Sequence, residues 1–258
     1  MRRAISAEWV KLWSVRSTWW CLMGAAAMMV LASVTVAAAL GSHNGQPRTE
    51  RLAATEPVVS AAIFAQFAMV ALAMLVVTSE YSSGGIRVAL QATPVRGRLL
   101  AAKALVVAPV MFVTGVVSGA VGAVLTYVLL RMEPFGVPVT LAAGETAGDL
   151  VRLGAFCALV GVLTVGAGAA LRSAAGTLTV VFLLMMGLPL LIMMTGAPAL
   201  IDASMRLPMF AGLAFMESVE NMTGGPMPYA PGEGLAWLLV WTAAALAAGY
   251  VVLRRRDA

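Results

Sequence analysis

The sequence predicts an all-α, polytopic membrane protein: six transmembrane helices, an N-terminal interfacial amphipathic helix, and both termini in the cytoplasm. Composition is the first ground. Of the 258 residues, 61% are hydrophobic and 11% are charged, whereas a soluble domain carries about 25% charged residues. The second ground is a set of six apolar runs of around 20 residues, each long enough to span roughly 30 Å of hydrocarbon. The third is the placement of Lys and Arg, which gather beside alternate span ends and so mark the cytoplasmic side.

Residues 4–18 come before the first run. Ile5, Trp9, Leu12 and Trp13 share one helical face, while Glu8, Lys11 and Ser14 sit away from it. A helix with tryptophans on its apolar side and cations around it is expected to lie along the membrane surface. The alternative is the n-region of a signal peptide, with cleavage near Ala37-Ala38-Ala39. The following apolar run, 19–40, is too long for the about 7–15 residues of such a segment, so it is read as the first span.

The remaining spans are expected at 58–78, 104–130, 153–171, 177–195 and 235–253, all within one transmembrane domain. Six spans put Arg2, Arg3, Lys11 and Arg16 on the same side as Arg254-Arg255-Arg256. A seventh span over 199–216 would bury Asp202, Arg206 and Pro208. Its mid-span Arg alone costs about 2.5–3.5 kcal/mol on insertion scales, and the C-terminal arginines would move outside. Six is the expected count.

On this topology 12 of the 17 Lys and Arg lie inside and 9 of the 12 Asp and Glu lie outside. The formal charge of +5 is therefore a collar at one membrane face rather than a nucleic-acid footprint, and no nucleic-acid partner is expected. Residues 79–103 form the most basic internal segment, with Arg87, Arg96, Arg98 and Lys103. Within it Gly84-Gly85 and Pro94 bracket residues 86–91, about two helical turns with Ile86, Ala89 and Leu90 on one side and Arg87 and Gln91 on the other. This piece is too short to cross a bilayer and is read as a small docking helix facing the cytoplasm.

Residues 196–234 make the longest stretch between spans. Its apolar middle, with Glu217 and Glu220 at the end, is expected to dip into or lie on the outer face, and a re-entrant element needs protein around its backbone. Asn221-Met222-Thr223 fits a glycosylation triplet, a weak motif. Gly115 and Gly119, and the seven-residue recurrence Gly154, Gly161 and Gly168, allow close helix approach, either in ordinary bundle packing or at a subunit seam. Gly187 and Pro189 are expected to kink or loosen the fifth span. Cys21 and Cys157 are read as small buried hydrophobes rather than a disulfide.

No catalytic constellation is present. The sole histidine, His43, lies in an external loop, so no HExxH zinc site or histidine-based triad assembles. There is no GxSxG elbow and no GxxxxGK[ST] phosphate loop. The chain is not expected to be an enzyme, and it carries no cofactor or metal site. Deep ionisable residues would mark an ion-coupled carrier, but the spans hold almost none. Gln66 and Thr164 are the conspicuous deep polar groups, either bonding between helices or lining a translocation path. Energy for any transport is expected to come from elsewhere.

Three stretches in order resemble a known family. They are Glu8-Trp9-x-Lys11-Leu12-x-Ser14-Val15-Arg16-Ser17-Thr18-Trp19, then Glu80-Tyr81-Ser82-Ser83-Gly84-x-Ile86-Arg87, then Thr93-Pro94-x-Arg96. With the six spans and the long external stretch, the chain is similar throughout to the membrane (permease) subunits of bacterial type-2 ABC exporters. One departure is Gly85, where that family often has Thr, which leaves the cap of the short helix open. The resemblance implies that residues 79–103 carry a coupling helix seated on a separate ATPase subunit, with contact through Glu80, Tyr81, Ser82, Ser83, Gly84, Ile86, Arg87, Leu90, Pro94 and Arg96.

It implies further that Glu80 and its neighbours anchor this helix against the interfacial helix with Glu8, Trp9, Lys11, Trp13 and Arg16. The turn 172–176 would be a minor second contact. ATP and Mg would be bound by the partner ATPase, and a second permease, identical or a sister chain, would complete the transporter in the bacterial cytoplasmic membrane. The expected function is export of a hydrophobic or amphipathic substrate, with the possible path at Gln66 and Thr164 and methionines such as Met69 and Met74 beside it. The alternative is a non-transporting membrane regulator or scaffold, which would bind a partner without ATP-dependent flux. An intramembrane enzyme or ion-coupled carrier is the third reading and lacks the deep ionisable groups it needs.

Overall fold

A computed structural model describes residues 1–42, 52–92, 95–132, 135–218 and 227–255. The chain is built almost wholly of helices. An N-terminal helix α1 (Arg2–Ser14) turns at Val15, which is extended, into α2 (Arg16–Ser42). Then come α3 (Glu56–Ser82), the short α4 (Gly85–Ala92), α5 (Arg96–Arg131) and α6 (Ala143–Leu171). The fifth span is composite: α7 (Ala174–Phe182), a π turn (Leu183–Gly187) and α8 (Leu188–Met194). Two short helices, α9 (Pro198–Ser204) and α10 (Pro208–Phe215), lead to α11 (Pro231–Arg255). Six of these segments are long and apolar enough to cross a membrane: α2, α3, α5, α6, the α7–α8 composite and α11.

Several helices outrun the apolar runs that signal them. α5 starts at Arg96 rather than at residue 104, and α6 starts at Ala143 rather than at 153. Hydropathy registers the hydrocarbon-length core of a helix, whereas backbone hydrogen bonding continues through polar turns at each end. The π turn ends immediately before Leu188-Pro189. Proline has no N–H and crowds the carbonyl four residues back, and a widened turn at that point accommodates it.

Side-chain contacts sort the chain into two ends. At one end Glu8 of α1, Glu80 of α3 and Lys103 of α5 meet, and Arg96 bonds the backbone of Leu253 and Arg254 at the end of α11. At the other, a two-residue parallel pairing joins Leu52-Ala53 to Val139-Thr140, Thr55 bonds Asp149, and Arg152 pairs with Glu217. α1, α4 and the last turn of α11 therefore share one end, and residues 217–218 lie at the opposite one.

The centre of the bundle is α3, most of whose residues are buried, packed on α2 and α6. α5 crosses α6 closely: a Cβ on Gly115 would lie 2.9 Å from the Cys157 sulfur and 3.2 Å from Gly154 Cα. The glycine repeats thus serve packing within one chain. α6 meets α11 closer still, with the Cβ position of Gly249 only 2.6 Å from the Gly166 carbonyl oxygen. Cys21 and Cys157 are both free thiols.

Among the described residues no seventh segment is long and apolar enough to cross a membrane. The Trp241 indole donates to the Arg206 carbonyl at 2.8 Å, and Trp241 lies about 15 Å along α11 from its N-terminal end at Pro231. The turn between α9 and α10 therefore dips well into the bundle. Residues 208–214 are all buried, and Phe156 of α6 packs where a Cβ on Gly212 would be. α10 lies within the bundle with protein around it, the cover that a re-entrant element would need in hydrocarbon.

Candidate functional site

The candidate site is the buried ion cluster that ties α1, α3 and α5 together behind the short helix α4. Glu8 and Lys11 are three residues apart on α1, so they share a face. Glu80 sits in the last turn of α3, and Lys103 lies two turns into α5. The Lys103 ammonium donates to Glu8 Oε2 at 2.7 Å, to Glu80 Oε1 at 2.6 Å and to the Val76 carbonyl at 3.2 Å. All three of its protons are thereby used. Lys11 donates to the same Glu80 Oε1 from the outer side. The side chains of Lys103, Glu80 and Glu8 are 3%, 4% and 7% exposed, and that of Lys11 is 48% exposed. Two carboxylates and two ammonium groups leave the cluster neutral, the condition under which charges tolerate burial.

This burial differs from the expectation for Glu8. The tryptophan stripe suggests that Glu8 faces away from apolar surroundings, yet Glu8 and Leu12 are the buried residues of α1. Trp9 is exposed, and Trp13 stacks between Trp9 and Trp19 at centroid distances of 5.7 and 4.9 Å. The face of α1 toward the bundle is therefore the one with Glu8, Lys11 and Leu12. Lys103, 95 residues away in sequence, supplies the reason. Arg16 is exposed at the start of α2.

The chain between α3 and α4 turns at Gly84, whose φ of +71° is readily adopted only without a Cβ. The Ser82 and Ser83 hydroxyls both donate to the Ser79 carbonyl, at 3.0 and 2.8 Å. The Ser83 hydroxyl also accepts the Gly85 N–H at 3.4 Å, which supplies the cap that Gly85 left open. α4 packs on α3 and α5 with Ile86 buried, while Val88 is 68% exposed and Gln91 is exposed. The side chains of Arg87 and Leu90, and Thr93-Pro94 altogether, lie outside the described residues. So do His43, Glu220, the Asn221 triplet and Arg256.

Two guanidinium groups fasten the end of α11 to this region. Arg96 Nη1 donates to the Leu253 carbonyl and, at 3.3 Å, to that of Arg254. Arg172 Nη2 donates to the Val252 carbonyl at 3.2 Å. Cations at a helix C-terminus satisfy its last carbonyls and the negative end of its dipole. Arg172 itself is left-handed, with φ 56°, and its guanidinium lies 5.4 Å from the centre of the Tyr81 ring. Arg96 and Arg172 sit beside or between spans as cations with no sequence signal of a partner, so their role as clamps was not readable.

Gln66 and Thr164 are both buried but bond within their own helices. Gln66 Nε2 donates to the Ile63 carbonyl at 2.9 Å, and Thr164 Oγ1 donates to that of Val160 at 2.8 Å. Gln66 Oε1 has no hydrogen-bond partner among the described residues. Met69 and Met74 are buried in the core. An apolar groove of about 710 Å³ instead runs between Met28 of α2, Phe64 and Phe67 of α3, and Leu178, Thr179 and Phe182 of α7. Among the described residues no group of three or more His, Cys, Asp or Glu could hold a metal ion. Comparison with known protein families finds no matching family, and none of the curated proteins matches the chain.

Proposed function

We propose that this chain is the permease subunit of an ABC exporter in the bacterial cytoplasmic membrane, with α4 and both termini in the cytoplasm. The observation that carries the reading is the inner-end assembly: a short helix with an exposed Val88, rooted through Glu80 and Lys103 in α1 and α5. A loop that merely connected two spans would need neither a buried ion cluster nor a helix held against two neighbours. An ATPase subunit, holding ATP and Mg, seats on α4. Its closure pushes the ends of α3 and α5 together with α1, because the cluster makes them one body.

The groove between α3 and α7 offers aromatic and aliphatic walls with one hydroxyl, Thr179. That lining suits a hydrophobic or amphipathic substrate, and a second permease would complete it. The π turn lies at the groove's edge through Leu183 and Met186, where an irregular helix bends at little cost. These features support alternating access between the two faces.

The test uses Val88→Asp, an exposed change that leaves the bundle intact. The wild-type chain is expected to co-purify with an ATPase subunit encoded in its own genome and to drive ATP-dependent efflux of a lipophilic dye in vesicles. The variant is expected to lose both. Undiminished capture and flux in the variant would refute the role of α4, and capture without ATP-dependent flux in the wild type would leave a scaffold.

A further inference from the structure

We propose that the cavity between α1, α2 and α3 seats one acyl chain of an anionic phospholipid, with its phosphate held against Lys11. The cavity has a volume of about 120 Å³ and is lined from α1 by Glu8, Lys11 and Leu12, from α2 by Ser17, Thr18 and Cys21, and from α3 by Leu72, Leu75, Val76 and Ser79. Its walls are graded. Ser17, Thr18 and Ser79 lie at the end nearest α4, and Cys21, Leu72 and Leu75 lie deeper along the same helices. From Ser79 to Leu72 is about 10 Å along α3. That is the profile of an amphiphile entering from the interface, with its polar end outward.

Two observations point to an occupant. Thr18 is 7% exposed, and neither its hydroxyl nor that of Ser17 has a hydrogen-bond partner among the described residues. Both hydroxyls open onto the cavity rather than into packed protein, so each can donate to an acceptor that enters from outside the chain. Second, the charge at the mouth is positive. Glu8 is engaged by Lys103, whereas Lys11 is nearly half exposed and gives only one of its three ammonium donors to Glu80. Arg2, Arg3 and Arg16 are exposed on the same two helices. The phosphate of a lipid in the adjoining leaflet fits both the free donors and the charge.

A bound chain would wedge α1 against α3 beside the Lys11–Glu80 pair, so lipid composition would bear on how firmly α1 is held. The inference needs only that the helices cross a bilayer. It stands or fails independently of the transport reading.

Cys21 on the cavity wall is an intrinsic reporter, since Cys157 is buried between helices. Purified full chain is placed in nanodiscs of phosphatidylcholine, with or without phosphatidylglycerol, and the rate of maleimide addition at Cys21 is followed by mass spectrometry. Phosphatidylglycerol is expected to slow labelling about fivefold, the worth of one basic contact to an anionic headgroup. Lys11→Gln is expected to abolish that difference. Leu75→Trp, which fills the cavity, is expected to slow labelling equally in both lipids. Equal wild-type rates in the two lipids would overturn the proposal, as would a lipid effect that survives Lys11→Gln. Protection by inorganic phosphate in pure phosphatidylcholine would overturn the assignment to a lipid.

Discussion

Replacing Lys103 by Met tests the ion cluster most directly. Among the described residues Lys103 is the sole ion-pair partner of Glu8, and it shares Glu80 with Lys11. The substitution fills a similar volume but moves the cluster from neutral to one net negative charge, with Glu8 stranded at 7% exposure. Removing one member of a buried pair costs about 3–5 kcal/mol, because the remaining charge stays desolvated. Lys11 offers little compensation, since solvent screens a half-exposed ammonium.

Glu8→Gln in the same chain restores neutrality, with Lys11 facing Glu80, and is expected to recover about 2 kcal/mol of the loss. The assay is unfolding of the purified chain in mixed micelles titrated with SDS, for wild type, both single variants and the double. The account of the cluster fails if Lys103→Met costs less than about 1 kcal/mol. It also fails if the double variant is no more stable than Lys103→Met alone.

The remaining predictions concern the α6–α11 crossing and the end of the bundle opposite α4. Gly249→Val places a side chain 2.6 Å from the Gly166 carbonyl oxygen and 3.1 Å from Ala169 Cβ. Because backbone cannot move aside, the change is expected to cost about 1–3 kcal/mol or more in the same titration, while Gly232→Ala, with open space around it, costs nothing measurable. Burial, reinforced by the charge of Glu233, pushes the Tyr229 hydroxyl from 10.0 up to about 12, and it donates to the Met205 carbonyl. The folded state therefore holds this proton more tightly than the unfolded one. Its contribution is complete below pH 10 and is lost as pH rises through about 12. Tyr229→Phe is expected to flatten the decline in thermal stability across that window.

How much was legible follows from which forces are local. The six membrane-crossing helices were readable because lipid demands an unbroken apolar run, and that demand is written in consecutive residues. The short helix was equally plain, since Gly84 and Pro94 punctuate it. Gly187 and Pro189 marked the irregular turn in the fifth span for the same reason.

Partnership was not legible. Lys103, Arg96 and Arg172 look in sequence like any cations near a span end, free to reach outward to water. Only the folded bundle shows Lys103 turned inward between Glu8 and Glu80, and the two arginines closed over the last carbonyls of α11. The close approach of Gly166 and Gly249, 83 residues apart, was likewise invisible beside the regular glycine repeat of α6. The depth of the segment 206–218 depended on Phe156 packing at Gly212, Trp241 bonding Arg206 and Ser60 bonding Ser218, from three different helices.

The sequence by itself determined that the chain is a six-span helical membrane protein with a short helix between spans two and three. Apolar run length, glycine and proline punctuation, and the distribution of cations act over neighbouring residues. Only the tertiary structure decided which charges are buried together, which helices nearly touch and which surfaces remain open. Those outcomes depend on pairings across tens of residues, and a charge in a low-dielectric setting is settled by the partner beside it rather than by its neighbours in the chain.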